Sequence, residues 1–294
     1  MSAIETAAIL IIGDEVLNGK IKDTNSHFFS QLMFNKGVTV KKILVIGDEE
    51  SEIVESIRDL SQKYDFVLTS GGIGPTHDDI TYESIAKSYG LPLSIHQETA
   101  KRMERIKGAE VWKSIDDTTM NAQLRMATFP EGPNVEALFL DEKLWVPVVG
   151  IDKKVFILPG VPQLFKSLLT NLVDGPMKSR FEKAEENNYI RFFVTTKFPE
   201  SKLSSFLGSI QTESDAYIRE KYGAEGASHN AIKLGSYPHM GIKLNTISLL
   251  GRSSERSYLR ELVARTVKEL EGTEIDEKQE YSNSQDSRKI TEEL

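Results

Sequence analysis

The chain has 294 residues, 39% hydrophobic and 27% charged, which is typical of a globular protein of more than one domain; because it has no cysteine, disulfides, thiolate chemistry and cysteine-based zinc sites are excluded. Acidic residues outnumber basic ones, 44 to 36, and the resulting formal charge of −8 argues against a nucleic-acid partner. No apolar run approaches the ~18–20 residues of a membrane span and the N-terminus does not resemble a secretory signal, so we expect a cytoplasmic protein without a membrane partner.

The first predicted element is a buried strand, because residues 7–12 form a continuous apolar run. A polar loop bounded by Gly13 and Gly19 follows and carries Glu15 and Asn18. The next helix is predicted from Asp23-Thr24, which can cap its start, to Gly37, which supplies a C-terminal stop.

Further strands are predicted at 38–46 and 66–68, with a helix beginning near Ser51 between them. This alternation of strands and helices indicates a sheet with helices on both faces, a three-layer α/β/α fold. Ligands of such sheets bind beyond the carboxyl ends of the strands. We therefore expect the loop after residue 12 and the loop after residue 68 to face one cleft.

The loop at residues 69–81 is glycine-rich, lies between a strand and a helix, and predicts a phosphate site. Gly71, Gly72 and Gly74 allow backbone N–H groups to approach an anion closely, and Thr76 adds a hydroxyl donor. Asp78 and Asp79 follow directly, and Mg²⁺ sites combine one or two carboxylates with substrate phosphates. Either aspartate, with Glu15, is a candidate metal ligand. The alternatives are a tight turn without a ligand and, for the Thr76-x-x-Asp79 pattern, a capping role.

A hairpin is predicted over 135–149, followed by a buried strand at 154–158 that ends in the turn Pro159-Gly160. This turn also lies at the carboxyl end of a strand, so Pro159 and Gly160 are expected to shape the cleft wall. Trp145, in the hairpin, either stacks on a ligand ring or packs within the hairpin.

The C-terminal part predicts a small α+β domain, with strands at 189–196, 231–237 and 241–250, a short helix from about residue 200 and another from about residue 254. The predicted boundaries are 1–175 for the first domain and 185–272 for the second. Residues 273–294 are polar and charged, and are predicted to be disordered.

Three separated motifs resemble one known family. They are residues 13–19 with Asp23-Thr24-Asn25, the loop 71–81, and Leu158-Pro159-Gly160-Val161-Pro162. Together they resemble the molybdopterin-binding-like domain of the MoaB/Mog superfamily, in the branch that holds the N-terminal domains of CinA-type proteins and of eukaryotic FAD synthases. The resemblance covers roughly residues 5 to 271, and three motifs in the right order are a specific signal.

The resemblance implies a metal-dependent nucleotide pyrophosphatase that cleaves FAD to FMN and AMP, with ADP-ribose as the second choice of substrate. It implies a divalent cation (Mg, Mn, Co or Ni), leaves room for a monovalent cation, and favours a homodimer. The catalytic residues that it implies are Asp78, Asp79 and Glu15. The substrate-binding residues that it implies are Gly71, Gly72, Gly74, Thr76, Asn18, Pro159 and Gly160. Two alternatives stay open: a molybdopterin adenylyltransferase or related cofactor-synthesis step, and a non-catalytic nucleotide-binding protein.

One segment departs from the family pattern. An Asn-Pro-x-Gly-x-Ala-Pro-Gly segment is usual before the last core strand, whereas this chain has Trp145-Val146-Pro147-Val148-Val149 there. The departure favours the FAD synthase-like branch over bacterial CinA.

Overall fold

The structure is a computed structural model that describes residues 2–182 and 185–292. The chain divides into two compact units between Glu182 and Lys183. In the first unit the strands are β1 Thr6–Ile12, β2 Thr39–Ile46, β3 Phe66–Ser70, β4 Leu93–Ile95, β5 Thr128–Pro130, β6 Val135–Leu138, β7 Val148–Ile151 and β8 Val155–Leu158. Its helices are α1 Asp14–Leu17, α2 Asn25–Asn35, α3 Glu50–Lys63, α4 Thr81–Tyr89, α5 Gln97–Lys107, α6 Ala109–Lys113, α7 Asp117–Arg125, α8 Pro162–Asp174 and α9 Lys178–Phe181.

The core of the first unit is a six-stranded sheet in the order β2-β1-β3-β8-β7-β6, and β4 and β5 form a separate pair. Strands β2, β1, β3 and β8 are parallel, while β7 and β6 continue the sheet antiparallel. The chain moves from β1 to β2 in one direction and from β2 to β3 in the other. Right-handed crossovers then require α2 and α3 on opposite faces. Accordingly, α2 contacts α8, whereas α3 contacts α4. The predicted α/β class is confirmed.

The apolar run that predicted the first strand is now explained by burial on both faces. Residues 7–12 of β1 are all buried, as is all of β3. Phe66 stacks against Phe29 of α2 and meets Phe181 of α9 edge-on, at ring-centroid distances of 6.3 and 5.2 Å. Because Phe181 and Met177 are buried in this core, the first unit extends past the predicted limit of residue 175.

The second unit contains the strands β9 Tyr189–Thr196, β10 Lys233–His239, β11 Leu244–Arg252 and β12 Thr273–Ile275, in the order β10-β11-β9-β12. Its helices are α10 Glu200–Asn230, α11 Arg256–Glu269 and α12 Glu277–Glu292, with single 3₁₀ turns at Glu185–Asn187, Met240–Ile242 and Ser253–Glu255. All pairings in this sheet are antiparallel. The unit is therefore a small α+β unit, as the sequence predicted.

Two features of the second unit differ from the sequence prediction. The helix from Glu200 is long, not short: it continues to a kink at Gly223, whose φ of 71° and ψ of 177° are not helical, and a second helical segment then ends at Asn230. The tail that was predicted to be disordered forms a strand and a helix: β12 pairs with β9, and α12 follows. The carboxylate of Asp276 caps α12 by accepting a hydrogen bond from the N–H of Gln279 at 2.8 Å. The helix docks through Glu280, whose Oε1 lies 3.5 Å from Nε2 of buried His239. Residues 293 and 294 of the predicted tail lie outside the described residues.

Candidate functional site

The three sequence motifs meet at one place in the first unit. Because β1, β3 and β8 are adjacent and parallel, the loops at their carboxyl ends lie side by side. Between them is a cavity of about 480 Å³. Of the predicted site residues, those that line it are Glu15, Gly71, Gly72, Gly74, Asp79, Pro159 and Gly160. Asn18, Thr76 and Asp78 do not line it.

The floor of the cavity is glycine backbone. A Cβ on Gly71 would lie 2.1 Å from the carbonyl oxygen of Ile12, and its φ of +112° disfavours any L side chain. Gly160 approaches from the neighbouring strand, so that its own Cβ would lie 3.2 Å from the Cα of Gly71. The two strand ends therefore touch through backbone alone.

The role predicted for Gly71 needs correction. Its N–H donates to the carbonyl of Leu158 at 3.2 Å, which leaves no donor there for a phosphate. Gly71 instead permits the close approach of β1, β3 and β8. Among the described residues, the N–H groups of Gly72 and Gly74 form no backbone hydrogen bond, so they are available as donors to an anion.

Asn25 joins the three motifs, although the sequence interpretation gave it no site role. It is the first residue of α2, only 6% exposed, and its Nδ2 donates to Ser70 Oγ at 3.0 Å and to the Gly160 carbonyl at 2.8 Å. The carbonyl of Gly160 can only accept, which fixes the orientation of the amide. The other amide atom, Oδ1, is buried without a hydrogen-bond partner among the described residues. The Asp23-Thr24-Asn25 motif was the available signal.

Asp79 holds the turn before α4. Its Oδ2 accepts hydrogen bonds from the Thr76 backbone N–H at 2.9 Å and from the Thr76 hydroxyl at 2.5 Å. The same carboxylate lies against Gly74, where a Cβ would be 2.6 Å from Oδ2. The carbonyl of Asp79 accepts from Nη2 of Arg125 at 3.0 Å. Asp79 therefore both shapes the glycine loop and lines the cavity.

Asp78 is exposed, with 58% of its side chain accessible, and lies outside the cavity lining. The nearby Thr76 hydroxyl and its own backbone N–H lower the pKa of Asp78 below the ordinary aspartate value. Asp78 is thus an ionised surface carboxylate at the edge of the site.

Glu15, in α1, also lines the cavity; it is half-buried, and both its carboxylate oxygens lie 2.7 Å from where a Cβ on Gly13 would be. The side chain of Asn18 accepts a hydrogen bond from the backbone N–H of Lys20 at 3.1 Å. Asn18 therefore orders the loop and does not line the cavity. The sequence interpretation missed Asp48, which follows β2 beside this loop and accepts the Asp14 N–H at 3.1 Å.

The acids around the first loop form a negative surface. Partial burial raises the pKa of Asp48 above the ordinary value, despite the hydrogen bond from Asp14. Repulsion from the carboxylates of Asp14, Glu15 and Asp78 raises it further. These acids are near enough to interact electrostatically. Across the part of the chain that the structure describes, however, no three carboxylates or histidines are arranged to hold a metal ion by themselves.

A divalent cation could still fit at the cavity wall, because Mg²⁺ commonly binds one or two carboxylates and completes its shell with substrate phosphate and water. Glu15 and Asp79 are the predicted metal ligands that line the cavity. The donor set therefore fits a cation that arrives with a phosphorylated ligand.

The remaining wall is apolar and includes residues that the motifs did not reveal. Trp145 is half-buried, packs against the core and also lines the cavity, so packing accounts for part of the side chain and stacking on a ligand ring stays a prediction. Met126 and Leu164 line the same cavity. An apolar wall beside polar backbone donors is typical of sites for ligands with both ring and charged parts.

Comparison with known proteins agrees with this geometry. The family described as "Probable molybdopterin binding domain" matches residues 8–178. The chain belongs to this family, which confirms the resemblance predicted from its three motifs.

Two relatives show the same branch. The "Probable FAD synthase" of Caenorhabditis briggsae is 31% identical over 289 residues, covering 90% of this chain and 49% of the relative. The "CinA-like protein" of Myxococcus xanthus (strain DK1622) is 33% identical over 198 residues, covering 66% of this chain and 46% of the relative. The chain spans about half the length of these relatives.

Among solved structures, the protein CinA with unknown function from Thermoplasma acidophilum is similar at 28% identity and a TM-score of 0.50. The similarity covers 58% of this chain and 98% of that chain. Within residues 2–182 and 185–292, no helix combines the length and the apolar character that a membrane crossing requires.

Proposed function

We propose that this protein is a hydrolase of dinucleotide pyrophosphates, with FAD, cleaved to FMN and AMP, as the first candidate substrate and ADP-ribose as the second. The observation that carries the proposal is the convergence of three separated loops on one cavity of about 480 Å³ with backbone donors and an apolar wall. The names of the similar proteins, FAD synthase among them, support a nucleotide ligand.

The chain's own groups have defined parts in this reaction. The N–H groups of Gly72 and Gly74, which form no backbone hydrogen bond among the described residues, would bind a phosphate oxygen and stabilise the charge that develops on it. Asn25 fixes the Gly160 turn relative to Ser70, which holds the two walls at a constant distance. Trp145 and Met126 offer apolar surface to a ring. Binding and positioning carry most of phosphoryl-group catalysis, so no protein nucleophile is required.

Glu15 and Asp79 would hold a divalent cation together with the substrate phosphates. When bound, such a cation neutralises phosphate charge and lowers the pKa of a water molecule. We retain Asp78 as a candidate for a more distant role, since its negative charge acts on Asp48 at the same surface.

The test is product analysis with purified protein. FAD, ADP-ribose, NAD and dinucleoside polyphosphates would be incubated with Mg²⁺, Mn²⁺, Co²⁺, Ni²⁺ or EDTA, and the products separated. Running the reaction in ¹⁸O-water identifies hydrolysis, because the label must enter AMP or the other monophosphate. Release of AMP from FAD or ADP-ribose that EDTA abolishes supports the proposal. Ligand-induced thermal stabilisation without AMP release contradicts it, as does activity confined to adenylyl transfer to molybdopterin.

Glu15→Gln keeps the shape of the side chain and removes its charge, so turnover should fall by about 10²-fold. Asp79→Asn is preferred to Asp79→Ala because an amide oxygen can still accept from Thr76 and keep the turn. The matched control is Glu55→Gln, on the exposed face of α3. Wild-type turnover by Glu15→Gln would remove that carboxylate from the proposed machinery.

A further inference from the structure

The cavity wall carries one basic side chain, Lys22, among the described residues that line it. The other charged residues on the wall are Glu15, Asp23 and Asp79. A pyrophosphate bridge is itself an anion, so a wall of three carboxylates would repel it unless positive groups offset them. Lys22 is therefore placed where its positive charge can offset the repulsion between these carboxylates and a pyrophosphate.

The backbone on both sides of Lys22 is fixed. Before it, the N–H of Ile21 donates to the Glu15 carbonyl at 3.0 Å. After it, the Asp23 carboxylate accepts the N–H groups of Asn25 at 2.9 Å and Ser26 at 3.0 Å at the start of α2. Lys22 is therefore presented from an ordered segment and not from a loose loop.

Two of the three acids on the wall, Asp23 and Asp79, are already engaged locally, whereas the lysine is not. Asp23 bonds to the start of α2, and Asp79 bonds to Thr76. Among the described ion pairs, none involves Lys22. An ammonium group has three donors and no acceptor, and a phosphate offers acceptors only, so the two groups match.

We propose that Lys22 is a phosphate-binding residue that makes this cavity select pyrophosphate-bearing ligands over uncharged ones with the same ring. The inference rests on the proposed function, which it deepens by naming a recognition residue. Lys22 binds the ligand electrostatically, and its contribution scales with the charge of the ligand and not with the ring.

Binding is measured by isothermal titration with EDTA present, so that metal-dependent turnover does not interfere. The probes are FAD with riboflavin, and ADP-ribose with adenosine; the members of each pair share a ring, and the second member lacks the pyrophosphate together with the group attached to its far side. The variants are Lys22→Gln and Lys22→Glu. Lys20→Gln is the matched control, because Lys20 lies two residues away, is exposed, and does not line the cavity.

Lys22→Gln should weaken binding of FAD and ADP-ribose by about tenfold, and Lys22→Glu by about 30-fold or more. Riboflavin and adenosine should change by less than about twofold, as should all ligands with Lys20→Gln. An unchanged Kd of Lys22→Gln for FAD and ADP-ribose overturns the inference. An equal loss for riboflavin also overturns it, since Lys22 would then act on the ring or on the fold.

The two proposals fail separately. If AMP is released from FAD but Lys22→Gln binds like the wild type, the recognition role is wrong and the hydrolase proposal stands. If no AMP is released but the charge-dependent loss is seen, the recognition role stands without hydrolysis. A wild-type protein that binds neither FAD nor ADP-ribose in EDTA, and that releases no AMP from either with a divalent metal present, overturns both.

Discussion

The two units of the chain each place a carboxylate away from bulk water, but they surround it differently. In the second unit, Glu255 has a fully buried side chain and accepts hydrogen bonds from Lys221 at 2.9 and 3.0 Å, from Tyr217 at 3.0 Å and from Tyr222. In the first unit, Asp48 is half-buried beside other carboxylates. The first arrangement is complete without a ligand, whereas the second leaves negative charge unbalanced at the edge of a cavity.

The same contrast separates the pKa values. Burial alone would raise the pKa of Glu255, but the hydrogen bonds from Tyr222, Lys221 and Tyr217 outweigh it, and the pKa lies below the ordinary value. For Asp48, burial and neighbouring acids both raise the pKa. A satisfied buried acid therefore indicates a structural role, and an acid destabilised by its neighbours indicates a functional surface.

The largest expected effect is on the backbone floor of the first unit. Gly71→Ala should lower the free energy of unfolding by about 4 kcal/mol, because its Cβ would overlap the Ile12 carbonyl and its φ is positive. Gly19→Ala is the control, since Gly19 also has a positive φ but nothing lies within 4 Å. Urea unfolding followed by fluorescence of Trp112 and Trp145 reports on this unit. Equal losses in both variants would show that backbone conformation, and not the close approach, matters.

In the second unit, Glu255→Ala should cost about 3 kcal/mol, because Lys221 and two tyrosine hydroxyls lose their shared acceptor. Nucleotide binding should not change, since Glu255 is structural in this interpretation. Thermal unfolding and titration with FAD measure the two effects. Impaired binding by a folded Glu255→Ala protein would contradict the division of roles between the units.

Asn25→Ala should cost about 1.5 kcal/mol in the first unit, because Ser70 and the Gly160 carbonyl each lose a donor. The loss is limited because the change also removes the buried Oδ1, which has no partner among the described residues. Turnover should fall by more than the stability change explains, since the cleft walls are no longer linked. Unfolding midpoints and kcat from the same preparation decide this, and a stability loss with normal kcat would limit Asn25 to a packing role.

The smallest effects are pH effects of opposite sign. Because the folded pKa of Glu255 is lowered, its stabilisation is present above the ordinary value of 4.5 and is lost as pH falls through the folded value. The folded pKa of Asp48 is raised, so its contribution to the stability of the folded state is present below pH 3.8. This contribution is lost as the pH rises through the folded pKa. Asp48→Asn, which keeps an acceptor for Asp14, should therefore stabilise the first unit by about 0.5 kcal/mol at neutral pH after allowance for solvent screening. A pH series of unfolding midpoints checks both signs.

Much of the first unit could be predicted because its strands carry strong local signals. Residues 7–12 and 66–68 are apolar throughout since they are buried on both faces, and the loops after them are glycine-rich where the backbone turns sharply. The long α10 was not predictable, because its buried positions Leu203, Ile210 and Ile218 form only a narrow stripe along 31 residues. The strand β12 was missed because its pairing with β9 depends on backbone bonds and not on side-chain pattern.

The candidate site was predictable where a motif is local and not where it depends on strand order. Asp48 lies beside Asp14 only because β2 pairs with β1, which no local pattern states. Lys22 and Met126 reach the cavity through loop paths that sequence periodicity does not encode. The sequence likewise does not show which of Asp78 and Asp79 lines the cavity, because this depends on the turn geometry around Thr76.

The contact between Gly71 and Gly160 has a consequence for how this site can evolve. The glycine backbone of the floor presents the N–H donors of Gly72 and Gly74 whatever side chains surround it, so substitutions on the rim leave these donors in place. The rim is built from side chains such as Lys22, Met126 and Trp145, each of which a single codon change can replace. The backbone donors can thus stay constant while ligand choice, including the contribution of Lys22 to phosphate binding, changes with the rim, and diversification of this fold is expected to proceed along the rim.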